Sequence, residues 1–326
     1  MSTPASSLPT SHHFTIERVG EGAWAAIAIP GRGTMGNAGI VDLGDLTLIF
    51  DTTLSLAAAR DLRVAAERLT GQRPRYVVNS HHHLDHAQGN QIFDDATIIG
   101  TSRAAEMITQ ENDPFLATMR ERGMALDAEA RAAAAAADPA IRRDMDEQND
   151  DLLVLLNEAH EARSRLPDLR FTSRLTLHGD ARHAELITWG GGHTPSDVVL
   201  YLPHARILYS GDLIFHHAHA SIETGDPYEW LRILGEMEKF SVDKLVPGHG
   251  LVGDHGAIAA QRAYLATVLD LCRDALASGK SEDEAAATPI PSAYEGWGFS
   301  SGFGQTMRAI YVYLRDHAGA TGAGQQ

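Results

Sequence analysis

Four histidines and an aspartate crowd into the eight residues Asn79-Ser80-His81-His82-His83-Leu84-Asp85-His86, directly after the apolar run Tyr76-Val77-Val78. The apolar run reads as a buried strand. Imidazoles and carboxylates are costly to bury unless they are paired or bound to a metal. A strand that ends in this way needs a partner for its side chains, and a metal is the simplest one. In an extended segment His81 and His83 point to one side and can grip one ion, while His82 points away. Asp85 and His86 fall where the chain turns, within reach of a second ion.

The chain has 326 residues, 44% of them hydrophobic, enough for one large domain or one and a half. No run of about 18 apolar residues occurs, so no membrane-spanning helix is expected. The formal net charge of −16 argues against nucleic acid as a partner and, more weakly, against an anionic membrane. The bland reading of this charge is an acidic, solvated surface. The single cysteine, Cys272, forbids an internal disulfide and fits a cytoplasmic setting. It lies in a helical pattern away from the histidine run and reads as a core residue.

Residues 1–13, rich in Ser, Pro and Thr at their start, read as a disordered lead and not as a signal peptide. From Phe14 onward, alternating runs predict strands at Phe14 to Val19, Trp24 to Ile29, Ile40-Val41 and Leu46 to Phe50. Leu54 to Leu69 has helical spacing and stops at Gly71. Further strands are expected at Thr97 to Ile99, Arg170 to Leu177, Ala184 to Trp189, Val198 to Tyr201, Ile207 to Tyr209 and Lys244 to Val246. Between about residues 111 and 167 the β-branched residues thin out. Ala128 to Ala137 favours helix, and Ile141, Met145, Leu152, Leu156 and Ala159 share one face at helical spacing. This segment is read as a helical insertion, a hairpin that covers a site or offers a homodimer face. Asp226-Pro227 and Ser281 to Glu284 open later helices. The pattern divides the chain into a domain over 14–254 and a helical extension with a tail over 255–326. Two successive strand-and-helix sets predict an α/β fold of two sheets flanked by helices, a four-layer αββα sandwich.

Isolated ligand-type residues stand at three more expected strand ends: His193 after Gly190-Gly191-Gly192, Asp212 after Ser210-Gly211, and His249 in Pro247-Gly248-His249-Gly250. Each is weak alone. Together with the histidine run they resemble the metallo-β-lactamase superfamily. His81-x-His83-x-Asp85-His86 matches its signature loop, and Gly89-Asn90 follows. Gly192-His193-Thr194-Pro195, Ser210-Gly211-Asp212 and Pro247-Gly248-His249-Gly250 match its later motifs, and Asp51 in Ile49-Phe50-Asp51-Thr52 its early aspartate. The resemblance covers roughly residues 14 to 255 and accounts for neither the insertion nor the C-terminal helices.

The resemblance implies a two-metal hydrolase whose partner is a small-molecule substrate. His81, His83 and His193 would hold one ion, and Asp85, His86 and His249 the other. Asp212 would bridge them, with Asp85 and Asp212 as the catalytic carboxylates. Three imidazoles and a shared oxygen suit zinc with an open position, so two Zn2+ ions are expected, with iron or manganese as alternatives. A metal-bridging hydroxide would attack the carbonyl of an ester, thioester, lactone or amide, a β-lactam included. Asp51 is expected to orient a ligand imidazole, with Thr194 and Ser196 as further candidates; Asp197 either joins them or caps the loop. His216, His217 and His219 read as a polar loop, with lining the pocket or donating to an oxyanion as the alternative. Aspartate at 212, where the true β-lactamases carry Cys or Ser, resembles the glyoxalase II and lactonase branches. Iron-dependent oxidoreductases acting on sulfur substrates share the first motif and supply the alternative reading.

Overall fold

A computed structural model describes residues 8–317. The start of the expected lead, residues 1–7, and the expected tail at Gly319 to Gln326 lie outside the described residues. Within the lead, Ser11 Oγ donates to Asp61 Oδ2 at 2.7 Å.

The first half of the chain builds one sheet. Its elements are β1 (Phe14–Gly20), β2 (Ala23–Ala28), β3 (Ala38–Asp42), β4 (Thr47–Phe50), α1 (Leu56–Thr70), β5 (Pro74–Val78), α2 (Leu84–Ala87), β6 (Thr97–Thr101) and α3 (Ser102–Met107). The insertion follows as α4 (Asp113–Ala136) and α5 (Pro139–Asn157), and β7 (Leu169–Phe171) completes the sheet in the order β1 to β7. β1 to β4 pair antiparallel, and β4 to β7 pair parallel. The second half supplies β8 (Arg174–His178), β9 (His183–Ile187), β10 (Val199–Leu202), β11 (Ile207–His216), α6 (Pro227–Met237) and β12 (Lys244–Gly250). These strands form a sheet in the order β12-β11-β10-β9-β8, parallel only between β11 and β12. Three further helices close the chain: α7 (Gly256–Ala277), α8 (Glu282–Ala286) and α9 (Ser300–His317).

Strand side chains alternate between two layers, as the period of two requires. Leu48 and Phe50 of β4, Leu200 and Leu202 of β10 and Tyr209 of β11 meet in a buried layer between the sheets. Ile49 turns outward onto Ala59, Leu62 and Ala66 of α1. Val199 and Leu208 turn the other way, onto Trp230 of α6 and Leu265 and Val268 of α7. The four layers expected from the sequence are therefore present, and α7 and α9 share the outer core of the second sheet. Tyr209 crosses the sandwich and donates its hydroxyl to Trp24 O at 3.1 Å. Gly39 makes room for it: a Cβ there would stand 2.6 Å from Tyr209 Cε1.

The helix ends follow the sequence signals. Ser55 Oγ accepts from Ala58 N at 3.1 Å, and Gly71 closes α1 in the left-handed region. Asp226 caps α6, and Ser281 with Glu284 forms a capping box on α8. Cys272 is buried in α7 beside Met307, a core residue as expected. Two strand readings need correction. The run Arg170 to Leu177 is split between β7 of one sheet and β8 of the other. Strand propensity carries no record of which sheet a segment joins. The run from Ile207 does not stop at Gly211-Asp212 but continues to His216, with its pairing slipping at Gly211. Among the described residues, no helix is long and apolar enough to cross a membrane.

Hydrogen bonds dock the insertion at several places. Glu158 accepts from Leu56 N and Ala57 N, at 2.7 and 3.0 Å, at the start of α1. Asp151 of α5 accepts from the amides of Gly31 and Gly33. Asp144 accepts from Ser300 N at 2.7 Å, joining α5 to α9.

Leu200 lies on a central strand with no exposure. Leu200→Ala is expected to cost about 2–5 kcal/mol in urea unfolding, because the sandwich cannot collapse onto the cavity. A loss below about 1 kcal/mol would mean that the two sheets do not interlock at this strand.

Candidate metal centre

The four strands that pair in parallel around the site, β4, β5, β11 and β12, all lead their C-terminal ends to one place. Crevices beyond such ends collect ligands, because the loops leaving them are free to vary. Asp51 leaves β4, and His81 to His86 leave β5. Asp212 and His249 belong to the late parts of β11 and β12. His193 joins them from the loop between β9 and β10.

The seven side chains form two groups whose ligand atoms lie within 4.8 Å of one another: His81, His83, His193 and Asp212; and Asp85, His86 and His249. In the first, His83 Nδ1 is 3.3 Å from His193 Nε2. Asp212 Oδ2 is 3.4 Å from His193 Nε2 and 3.8 Å from His81 Nε2. In the second, Asp85 Oδ2 is 3.2 Å from His86 Nε2 and 3.3 Å from His249 Nε2. Asp212 touches both groups. Its Oδ1 is 3.1 Å from His86 Nε2 and its Oδ2 is 3.2 Å from His249 Nε2. Ligand atoms about 2.0–2.1 Å from a tetrahedral zinc stand about 3.3 Å apart, which is the spacing found here. Gly248 lets β12 pass this close: a Cβ there would fall 1.9 Å from Asp212 Oδ1.

These atoms are buried without ordinary partners. His81 Nε2, His86 Nε2 and Asp212 Oδ1 make no hydrogen bond. Buried polar atoms are rarely left so, and a shared cation satisfies all of them together. Burial holds His81 and His83 well below the usual imidazole range and pushes His193 down to about 4, so their lone pairs are free. Burial also disfavours charge on His86 and His249. The surrounding carboxylates outweigh it, raising His86 well above its usual value and His249 to about 9. Burial acts against Asp85 and Asp212 too, but the neighbouring imidazoles hold both well below the carboxylate range. The pocket thus favours positive charge beside two anions.

Four of the five rings are held from behind. His86 Nδ1 meets Asp51 Oδ2 at 2.9 Å, and Asp51 Oδ1 accepts from Ser80 N at 2.6 Å, so Asp51 orients an imidazole as expected. His193 Nδ1 donates to Ser221 O at 2.8 Å, which leaves Nε2 bare toward the site. His81 Nδ1 lies 2.9 Å from Ser80 Oγ. His249 lacks a hydrogen bond at Nδ1 and is held by stacking on Phe215, at 4.9 Å and 10°. His82 points away, to Glu111 at 2.8 Å and Ser196 Oγ at 3.3 Å. Thr194 and Ser196 therefore reach no ligand imidazole. Thr194 donates to Asp197 Oδ1 at 2.6 Å, and Asp197 caps the loop by accepting from Gly192 N and Thr194 N. The histidines after Asp212 separate. His219 lines the cleft over the centre, His216 Nδ1 donates to Leu251 O at 2.8 Å, and His217 lines a neighbouring cavity.

The cleft over the two groups has a volume of about 340 Å3. Its walls come partly from outside the motifs: Glu111, Asn112, Phe115, Gln148 and Leu152 from the insertion, and Phe299, Gly302 and Gln305 from the C-terminal region. Sequence reasoning offered the insertion as a cover and named Leu152 on its apolar face, but it singled out none of the others, nor Ser221, whose contribution is a backbone carbonyl.

The family model of the metallo-beta-lactamase superfamily matches residues 31–249. The chain belongs to the metallo-beta-lactamase superfamily. A metallo-beta-lactamase type 2 from Bacteroides fragilis is 32% identical over 105 residues, 31% of this chain and 42% of that protein. The match thus spans less than half of that relative's length. Among solved structures, a metallo-beta-lactamase from Pontibacter korlensis superposes with a TM-score of 0.57 at 16% identity, over 78% of this chain and 99% of that one. The DIM-1 metallo-beta-lactamase exposed to ceftazidime gives a TM-score of 0.56 at 17% identity, over 78% and 97%. At these identities the superfamily neighbours establish a shared fold.

Asp51→Ala removes the acceptor from His86 Nδ1. It is expected to weaken metal retention about 10–100-fold, measured by competition with a chelator. Unchanged retention would show that His86 needs no such anchor.

Proposed function

We propose that the protein is a dinuclear zinc hydrolase of the glyoxalase II and lactonase-like branch. Membership of the superfamily and the two His/Asp groups support a metal-dependent hydrolase. The observation that carries the finer reading is Asp212, a buried carboxylate with one oxygen toward His86 and the other toward His81, His193 and His249. His81, His83 and His193 would hold one ion, Asp85, His86 and His249 the other, with Asp212 between them. When bound, such a pair supplies water of lowered pKa and a Lewis acid that polarises a carbonyl oxygen.

The chain's own residues prepare that chemistry. Ser221 fixes the tautomer of His193 through its carbonyl, and Asp51 does the same for His86. Asp85 and Asp212 offset the charge the centre must hold. His219, 1% exposed, meets Tyr264 Oη through Nδ1 at 3.2 Å, and its Nε2 has no partner. It stands in the cleft wall as a group for a substrate oxygen. Leu84, Phe115, Phe215 and Phe299 line the same cleft and limit water around the reacting carbonyl. Ester, thioester, lactone or amide substrates fit this reading, and aspartate at 212 favours them over a dedicated β-lactamase.

Chelation of the purified protein is expected to abolish ester and thioester hydrolysis, and added zinc to restore it. Asp212→Ala should lower kcat by at least about 100-fold and reduce bound zinc. Full activity in either case would contradict the bridging role. Iron near one per chain, with sulfur oxidation in place of hydrolysis, would favour the oxidoreductase reading.

A further inference from the structure

The insertion does more than roof the cleft. Between α4 and α5 runs a second cavity of about 240 Å3, walled by Met119, Leu126, Leu153 and Leu156. Phe115 and Leu152 line both this groove and the cleft over the metal centre, so the two spaces adjoin. The groove follows from local sequence. Arg122 breaks the α4 geometry at φ −136° and ψ 16°, and Gly123 beside it meets Leu156, where a Cβ would stand 2.1 Å from Cδ1. The helices close at that contact and leave room elsewhere along the seam.

Two polar side chains, Asp127 and Asn149, line this otherwise apolar space. Asn149 is 9% exposed and its Nδ2 has no hydrogen-bond partner. A buried amide left unpaired is costly, and a ligand passing through the groove would meet it. Charge points the same way. No lysine or arginine is among the described residues lining cleft or groove, and Glu111, Glu223 and Asp127 are. Away from the metals, an anionic group would find no cation there.

We propose that the groove between α4 and α5 receives the apolar arm of the substrate, an uncharged acyl or alkyl chain. The reactive carbonyl of that chain lies at the metal centre, and a hydrogen-bonding group on it can meet Asn149. The placement of the carbonyl rests on the hydrolase reading; the affinity of the groove for a chain does not.

Titration calorimetry of the metal-loaded protein with acetamide, hexanamide and decanamide, with released ammonia assayed to exclude hydrolysis, tests the groove by affinity alone. Affinity is expected to rise with length, by about fourfold for each methylene buried. Ala130 lines the groove but not the cleft and is only half-buried, so Ala130→Trp should fill the groove and still fold. It is expected to weaken decanamide binding at least tenfold and to lower the ratio of kcat/KM for 4-nitrophenyl decanoate over the acetate. Length-independent binding in the wild type, or equal decanamide affinity in Ala130→Trp, would overturn the proposal. Decanamide binding without ester turnover would support the groove while contradicting the hydrolase reading. Turnover with length-independent binding would do the reverse.

Discussion

Asp212 and Asp85 are two buried carboxylates surrounded by imidazoles, and no lysine or arginine is among the described residues lining their cleft. Much of the architecture around them serves that arrangement. Charges buried together are tolerated only when compensated, and here compensation requires five histidines drawn from three separate stretches of chain. Parallel pairing of β4 with β5 and of β11 with β12 brings two of those stretches to one edge of the sandwich, and the loop between the antiparallel β9 and β10 brings His193. Gly248 lets β12 approach Asp212, and the Asp51 and Ser221 oxygens fix two of the rings from behind. The core of the sandwich supplies the stiffness, since close-packed interiors hold the strand ends in register.

The superfamily fold sets the metal centre, but this chain's additions shape what reaches it. The insertion is tied to α1 through Glu158, to the Gly31-to-Gly33 loop through Asp151 and to α9 through Asp144. It therefore forms a fixed wall of the cleft, and the apolar seam inside it lies beside the reacting space. Fold alone does not fix what a protein acts on; the wall, and the absence of Lys and Arg among the described residues lining the cleft, bear on that.

Much of the centre was legible in the sequence because its chemistry tolerates few residue types. His81, His83, Asp85, His86, His193, Asp212 and His249 stood out as costly side chains at strand ends, and the structure brings all seven together. Caps were legible for the same local reason, as Gly71, Asp226 and Ser281 show, whereas Ser55 was read as part of the helix it caps. What stayed hidden depends on contacts between distant segments. Glu111 as the partner of His82, Ser221 as the partner of His193 and Asn149 in the seam carry no local mark. The split of Arg170 to Leu177 between two sheets was hidden likewise, because β-propensity does not name a neighbour.

The most direct test of this account is an anomalous-scattering map from crystals of the zinc-loaded protein, collected at the zinc edge. Two peaks should stand in the cleft, one bounded by His81, His83 and His193 and the other by Asp85, His86 and His249, with Asp212 between them. A single peak, or zinc held anywhere but among these seven side chains, would contradict it.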